Sequence, residues 1–178
     1  MSGLVKTIAN SSGGKTERIW GFNRPTGANT TANINAYVKT EFTTIADGSG
    51  NPTLTAIKDI TVDANGNQIE IKEYDWVAYS LISRNASGEP TGIPAAAPLK
   101  RITSIEYYNA VSENSSNAYW LLSSPNVRNA VEASEVRDAN GTPFTRVEMF
   151  YDDPAATANL IEIRVWASTK GPRFRRTR

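Results

Sequence analysis

Apolar and polar residues alternate on both sides of one turn, Asp-Ala-Asn-Gly-Asn at positions 63–67. A repeat of two places successive side chains on opposite faces of a β-strand. The apolar residues that share one face here are Ile60, Val62, Ile69 and Ile71. The stretch 57–84 therefore predicts an antiparallel hairpin. After an acidic break at 73–75, residues 76–82 are apolar or aromatic on both faces, which predicts a central strand covered on two sides.

Several other segments have the pattern of strands. The longest is 34–45, in which the predicted inward residues are Ala36, Val38, Thr40 and Phe42. Residues 99–111 fit both a helical stripe and a strand face, and we prefer the strand. The shorter predicted strands are 4–8, 18–22, 119–122, 145–151 and 161–167. In the last of these, the residues expected to face inward are Ile161, Ile163, Val165 and Ala167.

One helix is predicted, over 125–135. Ser124 is suited to cap its N-terminus and Pro125 to occupy its first turn. The residues that would share one helical face are Val127, Ala130, Val131 and Ser134. A second Asp-Ala-Asn-Gly turn at 138–141 leads into the strand at 145–151. About nine strands and at most one short helix predict an all-β fold, an antiparallel β-sandwich or barrel.

The chain is long enough for one domain, which we place at 34–169. Residues 1–33 are predicted to form an extended N-terminal arm, because their linkers are rich in Gly, Pro, Asn and Thr and cannot pack a core. Residues 170–178 are a basic C-terminal tail. The first residues do not fit a signal peptide, and no apolar run reaches the length of a membrane span.

The chain contains no His and no Cys. This composition excludes the Ser-His-Asp and Cys-His constellations and removes the usual ligands of zinc. The turns at Asp47, Asp63 and Asp138 lack the Gly and Glu that a calcium loop needs at its sixth and twelfth positions. Residues 9–16, ANSSGGKT, match a relaxed phosphate-loop pattern, but the sequence predicts no helix after them. We therefore expect no catalytic activity, no cofactor and no metal site.

Charge is unevenly distributed along the chain. Residues 1–169 carry 14 Lys and Arg against 18 Asp and Glu, whereas residues 170–178 carry five basic residues and no acidic one. A basic tail on an acidic body favours docking on a neighbouring subunit. The alternatives are a solvated tail without a partner and contact with nucleic acid.

The candidate subunit-contact residues combine aromatic anchors with the basic tail. They are Trp20, Phe22, Trp166, Lys170, Arg173, Phe174, Arg175, Arg176 and Arg178. Trp and Phe supply large apolar contact areas, and Arg pairs with carboxylates on a partner. The alternative for Trp20 is that it closes one end of the domain's own core.

A chain without Cys and His, rich in Ser, Thr and Asn, with Asp-Ala-Asn-Gly hairpins and terminal arms, resembles a tailed-bacteriophage virion structural protein. The resemblance is one of style over the whole chain. It implies a non-enzymatic subunit, either a capsid cement or decoration protein or a tail, neck or fibre component. Such a subunit would self-assemble in the host cytoplasm and clasp copies of itself and other virion proteins. The alternative is a carbohydrate-binding β-sandwich module, a receptor-binding piece on which Tyr37, Phe150 and Trp166 stack against sugars.

Overall fold

The computed structural model describes residues 4–23, 36–63, 66–107, 130–151 and 160–167 of the chain. Nine antiparallel strands form one sheet, and their order in the sheet follows the sequence. The strands are β1 Thr7–Ala9, β2 Lys15–Phe22, β3 Ala36–Ala46, β4 Pro52–Val62, β5 Gln68–Ala78, β6 Leu99–Tyr107, β7 Val131–Asp138, β8 Pro143–Tyr151 and β9 Leu160–Ala167. Within the described ranges the helical content is one 3₁₀ turn, Tyr79–Leu81. The all-β class and the number of strands are confirmed, and the sheet is not closed into a barrel.

Two compact units divide the chain, Met1–Arg101 and Ile102–Arg178. In the first unit, β2 to β5 pair in sequence through long antiparallel registers. Phe42 at the centre of β3 is fully buried and pairs directly with Ile57 of β4. Val77 and Ile82 complete this core, and the partly buried residues packed against it are Ile19, Tyr74, Ile93 and Ala97. Residues from the segment 79–98 therefore cover one face of the sheet.

The burial of β3 alternates as the sequence predicts from Lys39 to Ile45, whereas Ala36, predicted to face inward, is exposed. Thr40, Phe42 and Thr44 are buried, whereas Lys39, Thr43 and Ile45 are exposed. The buried threonines keep hydrogen-bond partners on the same face, since the Thr44 and Thr55 hydroxyls lie 2.9 Å apart and Thr40 donates to Asp59 at 2.8 Å. A buried hydroxyl without a partner would destabilise the fold by about 1–3 kcal/mol. These contacts explain why Thr is accepted beside Phe42.

The second unit is built on β7, β8 and β9. Residues 131–135, predicted as the second half of a helix, lie instead in β7, so the helix is wrong over this part. Ser134 pairs with Val147 of β8, and Val147 pairs in turn with Val165 of β9. Non-local pairing with β8 outweighs a local pattern that fitted both periods. The predicted strand at 145–151 is confirmed as part of β8.

Two other predictions need correction. Residues 73–75 do not interrupt a strand, because β5 runs through them from Gln68 to Ala78. The covered strand predicted over 76–82 ends early, because Tyr79–Leu81 form the 3₁₀ turn. Trp76 is exposed rather than covered. The predicted N-terminal arm contributes β1, which pairs with β2, and β2, which also pairs with β3. Strand pairing satisfies the backbone of this segment even though its linkers are polar.

Some predictions are met only in part. β6 confirms the strand over 99–107. In β9, the exposures of Val165 and Trp166 are nearly equal, so the predicted division into inward and outward residues does not hold there. The predictions that lie outside the described residues are the end of the strand at 108–111, the strand at 119–122, the first half of the helix at 125–129 and the tail at 170–178.

Five turns share one architecture with the pattern Asp/Asn-x-x-Gly-x. Their first residues are Asn10, Asp47, Asp63, Asn85 and Asp138. In each turn the side-chain Oδ1 of the first residue accepts a hydrogen bond from the backbone N–H of the fifth, at 2.8–3.0 Å. The fourth residue is always Gly with φ between 76° and 89°. Only Gly adopts this left-handed conformation without strain, so the pattern fixes five chain reversals locally.

The turn at Asp47 offers a matched pair of substitutions. Gly48 and Gly50 both have open space where a Cβ would lie, but only Gly50 has a positive φ. We expect Gly50→Ala to lower the free energy of unfolding by about 1–2 kcal/mol through backbone strain. Gly48→Ala should change it by less than about 1 kcal/mol. Urea denaturation of both variants tests this, and equal effects would contradict the turn assignment.

Candidate assembly surface

The two faces of the first unit's sheet differ in what lies on them. Alternation along β3 directs Phe42 to the face covered by residues 79–98 and Glu41, Thr43 and Ile45 to the opposite face. Direct cross-strand partners share a face, so the registers extend this division to β2, β4 and β5. We call the side that carries Glu41 the open face.

A buried ion pair connects the segment 79–98, which we call the covering segment, to the sheet. Glu17 of β2 is 3% exposed, and its two carboxylate oxygens accept hydrogen bonds from Arg84 Nη1 and Nη2, both at 2.7 Å. Lys15 Nζ lies 3.2 Å from Glu17 Oε1. Burial raises the pKa of Glu17, but hydrogen bonds from Arg84 and Lys15 outweigh it and hold the pKa below its usual range. The carboxylate is therefore charged at neutral pH.

Tyr79 completes this cluster. The Arg84 guanidinium lies 4.4 Å from the centroid of the Tyr79 ring, and Lys15 Nζ donates to the Tyr79 hydroxyl at 2.8 Å. Arg84 Nη1 also donates to the Gly88 carbonyl at 2.6 Å. Both cations are thus engaged by groups of the same unit, and the cluster fixes where the covering segment begins.

The phosphate-loop pattern at 9–16 lies beside this cluster. Its residues form the end of β1, the turn at Asn10 and the start of β2, so a strand follows Thr16 where a nucleotide site requires a helix. Lys15 contacts Glu17 and Tyr79. The Asn10 side chain accepts from Ser12 and Gly14. The Gly-rich sequence here therefore forms the turn of the β1–β2 hairpin.

One end of the open face is apolar. Four large side chains there are between 39% and 52% exposed: Ile8, Ile45, Leu54 and Trp76. Ile45 and Leu54 are direct partners across β3 and β4. We call these four residues the apolar patch. Contiguous exposed apolar side chains on a folded domain are typical of interaction surfaces.

Beside the apolar patch, the open face carries a stripe of alternating charge, one residue from each of five strands. In sheet order the residues of this charged stripe are Arg18, Glu41, Lys58, Glu73 and Arg101. Arg18 Nε lies 2.9 Å from Glu41 Oε2, and Arg101 Nη2 donates to Glu73 Oε1 at 2.9 Å. The hydrogen bond from Arg101 holds the pKa of Glu73 below its usual range.

Trp76 and all of the charged stripe except Arg18 border one groove of about 330 Å³. Neither was singled out as a site from the sequence. Period-two alternation with buried Val77 was the signal that could have placed Trp76 outward. The charged stripe could not have been found in this way, because its members are far apart in the chain and only the strand registers bring them together.

Trp20 and Phe22, predicted as contact residues, line a second groove of about 460 Å³. Trp20 Nε1 donates to the Val5 carbonyl at 3.1 Å, so the indole is half-buried and tied to the segment before β1. Lys6 pairs with Glu89 at 2.7 Å across the same groove. The structure therefore brings two of the predicted contact residues together.

Trp166, the third aromatic candidate, lies in the second unit and is 37% exposed. It pairs with Arg146 across β8 and β9 and lines a small cleft that also includes Phe144. Arg146 makes ion pairs with Glu106 and Glu148, each at 3.1 Å. The six candidates of the tail lie outside the described residues: Lys170, Arg173, Phe174, Arg175, Arg176 and Arg178.

The other aromatics proposed for sugar stacking have partners. The Arg164 guanidinium lies 4.2 Å from the centroid of the Phe150 ring and covers one face of it. The Tyr37 ring lies against Gly21, where even a Cβ would approach its Cζ to 2.6 Å. Each ring therefore has at least one contact that a stacked sugar would have to share.

The acidic turns use their oxygens internally. Asp47 Oδ1 accepts from the backbone of Ser49 and Asn51, and Asp138 Oδ1 accepts from Asn140 and Thr142. No group of three or more potential metal-ligating side chains occurs among the described residues. In the same part of the chain, no helix has the length and hydropathy of a membrane span.

Glu17→Gln should destabilise the first unit at pH 7 by about 3 kcal/mol, because it leaves Arg84 partly buried without its counter-charge. The folded-state pKa of Glu17 is lowered, so its stabilisation is complete above the usual carboxyl pKa and is lost as pH falls through the folded-state value. Urea denaturation from pH 7 to pH 3 measures both effects.

The difference between the two proteins should therefore shrink as pH falls. Glu89→Gln is the control, because its pair with Lys6 is exposed to solvent and should contribute little to the free energy of unfolding. A difference between wild type and Glu17→Gln that stays constant down to pH 3 would contradict a stabilising Glu17 carboxylate.

Neither the models of known protein families nor the curated proteins match this chain. No residue takes a role from a relative. The functional argument therefore rests on the open face, the groove at Trp20 and the charges of the sequence.

Proposed function

We propose that this chain is a non-enzymatic structural subunit of a virus particle, a capsid cement or decoration protein or a tail or neck component, that works by self-assembly. The observation that carries the proposal is the open face, with four large apolar side chains exposed on one side of a regular sheet. A sheet with an apolar, uncovered face reaches a lower free energy when another layer packs on it.

The chemistry of the described residues supports a binding role over catalysis. Glu17, Glu41 and Glu73 are each held by a basic side chain. A general acid or base has to exchange its proton near neutral pH, and lowered carboxyl pKa values such as those of Glu17 and Glu73 work against this. The virion assignment itself rests on the resemblance in composition and on the basic tail.

Trp20, Phe22 and Trp166 are the apolar contacts that we assign to neighbouring subunits, and the tail 170–178 supplies five positive charges for an acidic partner surface. Copies of the same chain provide such a surface, because residues 1–169 carry an excess of acidic side chains. Complementary charge of this kind speeds association and selects the partner.

The oligomeric state tests the proposal directly. Sedimentation velocity from about 1 to about 200 µM should show concentration-dependent assembly, and negative-stain electron microscopy should show rings, trimers or a lattice. A protein that remains a monomer over this range and binds sugars on a glycan array would contradict the proposal. That result would favour the carbohydrate-binding alternative.

Deletion of residues 170–178 should leave the far-ultraviolet circular dichroism and thermal unfolding unchanged and weaken assembly at least about tenfold, since it removes five charges that a partner surface neutralises. Replacing Arg173, Arg175, Arg176 and Arg178 with Lys is the matched control, because it keeps length and charge. Assembly that is the same without the tail would contradict its role as an arm.

A salt titration separates the remaining alternative for the tail. If the tail binds nucleic acid, its five cations should displace counterions from the phosphates. A plot of the logarithm of the affinity for a short duplex against the logarithm of the salt concentration should then have a slope of about −4. We expect no such binding at physiological salt. A slope of this size in the full chain, lost on deletion of 170–178, would assign the tail to nucleic acid.

A further inference from the structure

We propose that two copies of this chain dimerise through the open faces of their first units, around a two-fold axis that runs parallel to the strands between β3 and β4. This inference rests on the proposed self-assembly and names its partner surface. The dimer is a β-sandwich formed between copies, with one sheet contributed by each.

Four of the five residues of the charged stripe are complementary about this axis. The registers set Arg18 beside Glu41, Glu41 beside Lys58, and Lys58 beside Glu73. A two-fold axis between β3 and β4 exchanges β3 with β4 and β2 with β5. Glu41 of one copy then faces Lys58 of the second copy, and Arg18 faces Glu73.

Two residues of the apolar patch, Ile45 and Leu54, obey the same symmetry. Ile45 and Leu54 are direct partners across β3 and β4, as are Thr43 and Ala56. The axis therefore sets Ile45 of one copy against Leu54 of the second and Thr43 against Ala56. Every contact occurs twice, as an isologous interface requires. The apolar rows lie beside the charged stripe, so burial and charge pairing act together.

Alternative axes satisfy these side chains less well. An axis along β3 sets Glu41 against itself, and an axis along β4 sets Lys58 against itself, which costs free energy through like-charge contact. An axis between β4 and β5 pairs Lys58 with Glu73, but it moves Ile45 away from Leu54. Only the axis between β3 and β4 matches both the charges and the large apolar side chains of these two strands.

The geometry is that of ordinary sheet packing. Two sheets pack about 10 Å apart with their strands roughly aligned, which suits an axis parallel to the strands. The stripe residues Arg18 and Glu41, and likewise Arg101 and Glu73, are already paired within one copy. These four charges stay paired when the interface excludes water, so dimerisation does not leave any of them buried without a counter-charge.

The test exchanges charges between copies. Glu41→Lys should weaken the dimer at least about tenfold, because the substituted lysine then faces Lys58 of the second copy at two symmetric places. Lys58→Glu should do the same by setting two carboxylates together. Each variant alone should be mostly monomeric at concentrations where wild type dimerises, measured by sedimentation equilibrium.

An equimolar mixture of the two variants should restore dimers to within about threefold of the wild-type Kd, because each heterodimer contains two attractive pairs across the interface, one with its charges exchanged and one as in the wild type. The axis between β4 and β5 predicts no such rescue, since the lysine introduced by Glu41→Lys would face Arg101. Glu70→Lys is the matched control with the same change in charge. Glu70 pairs with Lys72 and with Thr61, which is in phase with Ile57 on the covered face.

Circular dichroism and urea denaturation establish that each variant is folded before its association is measured. A wild-type protein that assembles while both single variants assemble equally well would overturn this interface and leave the proposed function standing. A wild-type protein that stays monomeric up to about 200 µM would overturn both.

Discussion

The ion pair between Glu17 and Arg84 determines which side of the first sheet is covered. The two residues are 67 positions apart in the chain, and their bidentate contact ties β2 to the segment that leaves β5. Burying a carboxylate is unfavourable unless its oxygens are fully engaged, and here Arg84 and Lys15 engage both. With this segment fixed, Ile82 and Ile93 pack on Phe42 and Ile57. On the opposite face, Ile45, Leu54 and Trp76 are exposed among the described residues.

The two sets of charges in this unit therefore act differently. Glu17 is almost fully buried, so losing its partner leaves a stranded charge and has a large effect on stability. The charged stripe is solvated, and each of its pairs contributes little to the free energy of folding. Charges of this second kind are suited to select a partner, because they can be matched or mismatched without unfolding the chain. The buried charges of the covered face thus stabilise the fold, and the solvated charges of the open face are suited to the assembly that we propose.

The five turns account for much of the remaining architecture. Each closes a reversal in which the residue before the turn pairs with the residue after it, as Ala46 pairs with Pro52 and Val62 with Gln68. A side-chain oxygen and a left-handed Gly are sufficient for this geometry. The same chemistry explains the acidic loops and the Gly-rich sequence before Lys15 without a bound cation or phosphate.

Local structure could be predicted from the amino-acid sequence alone. Period-two alternation and the Asp-Ala-Asn-Gly turns were enough to predict the hairpin β4–β5, the strand that follows the turn at Asp138 and the buried side of β3 from Lys39 to Ile45, because these depend on neighbours in the chain. Contacts between distant parts of the chain set the rest: that β1 and β2 join the sheet, and that residues 131–135 are a strand. The charged stripe belongs to this second group, since strand registers and a contact across 67 residues set it, and neither leaves a periodic pattern in the sequence.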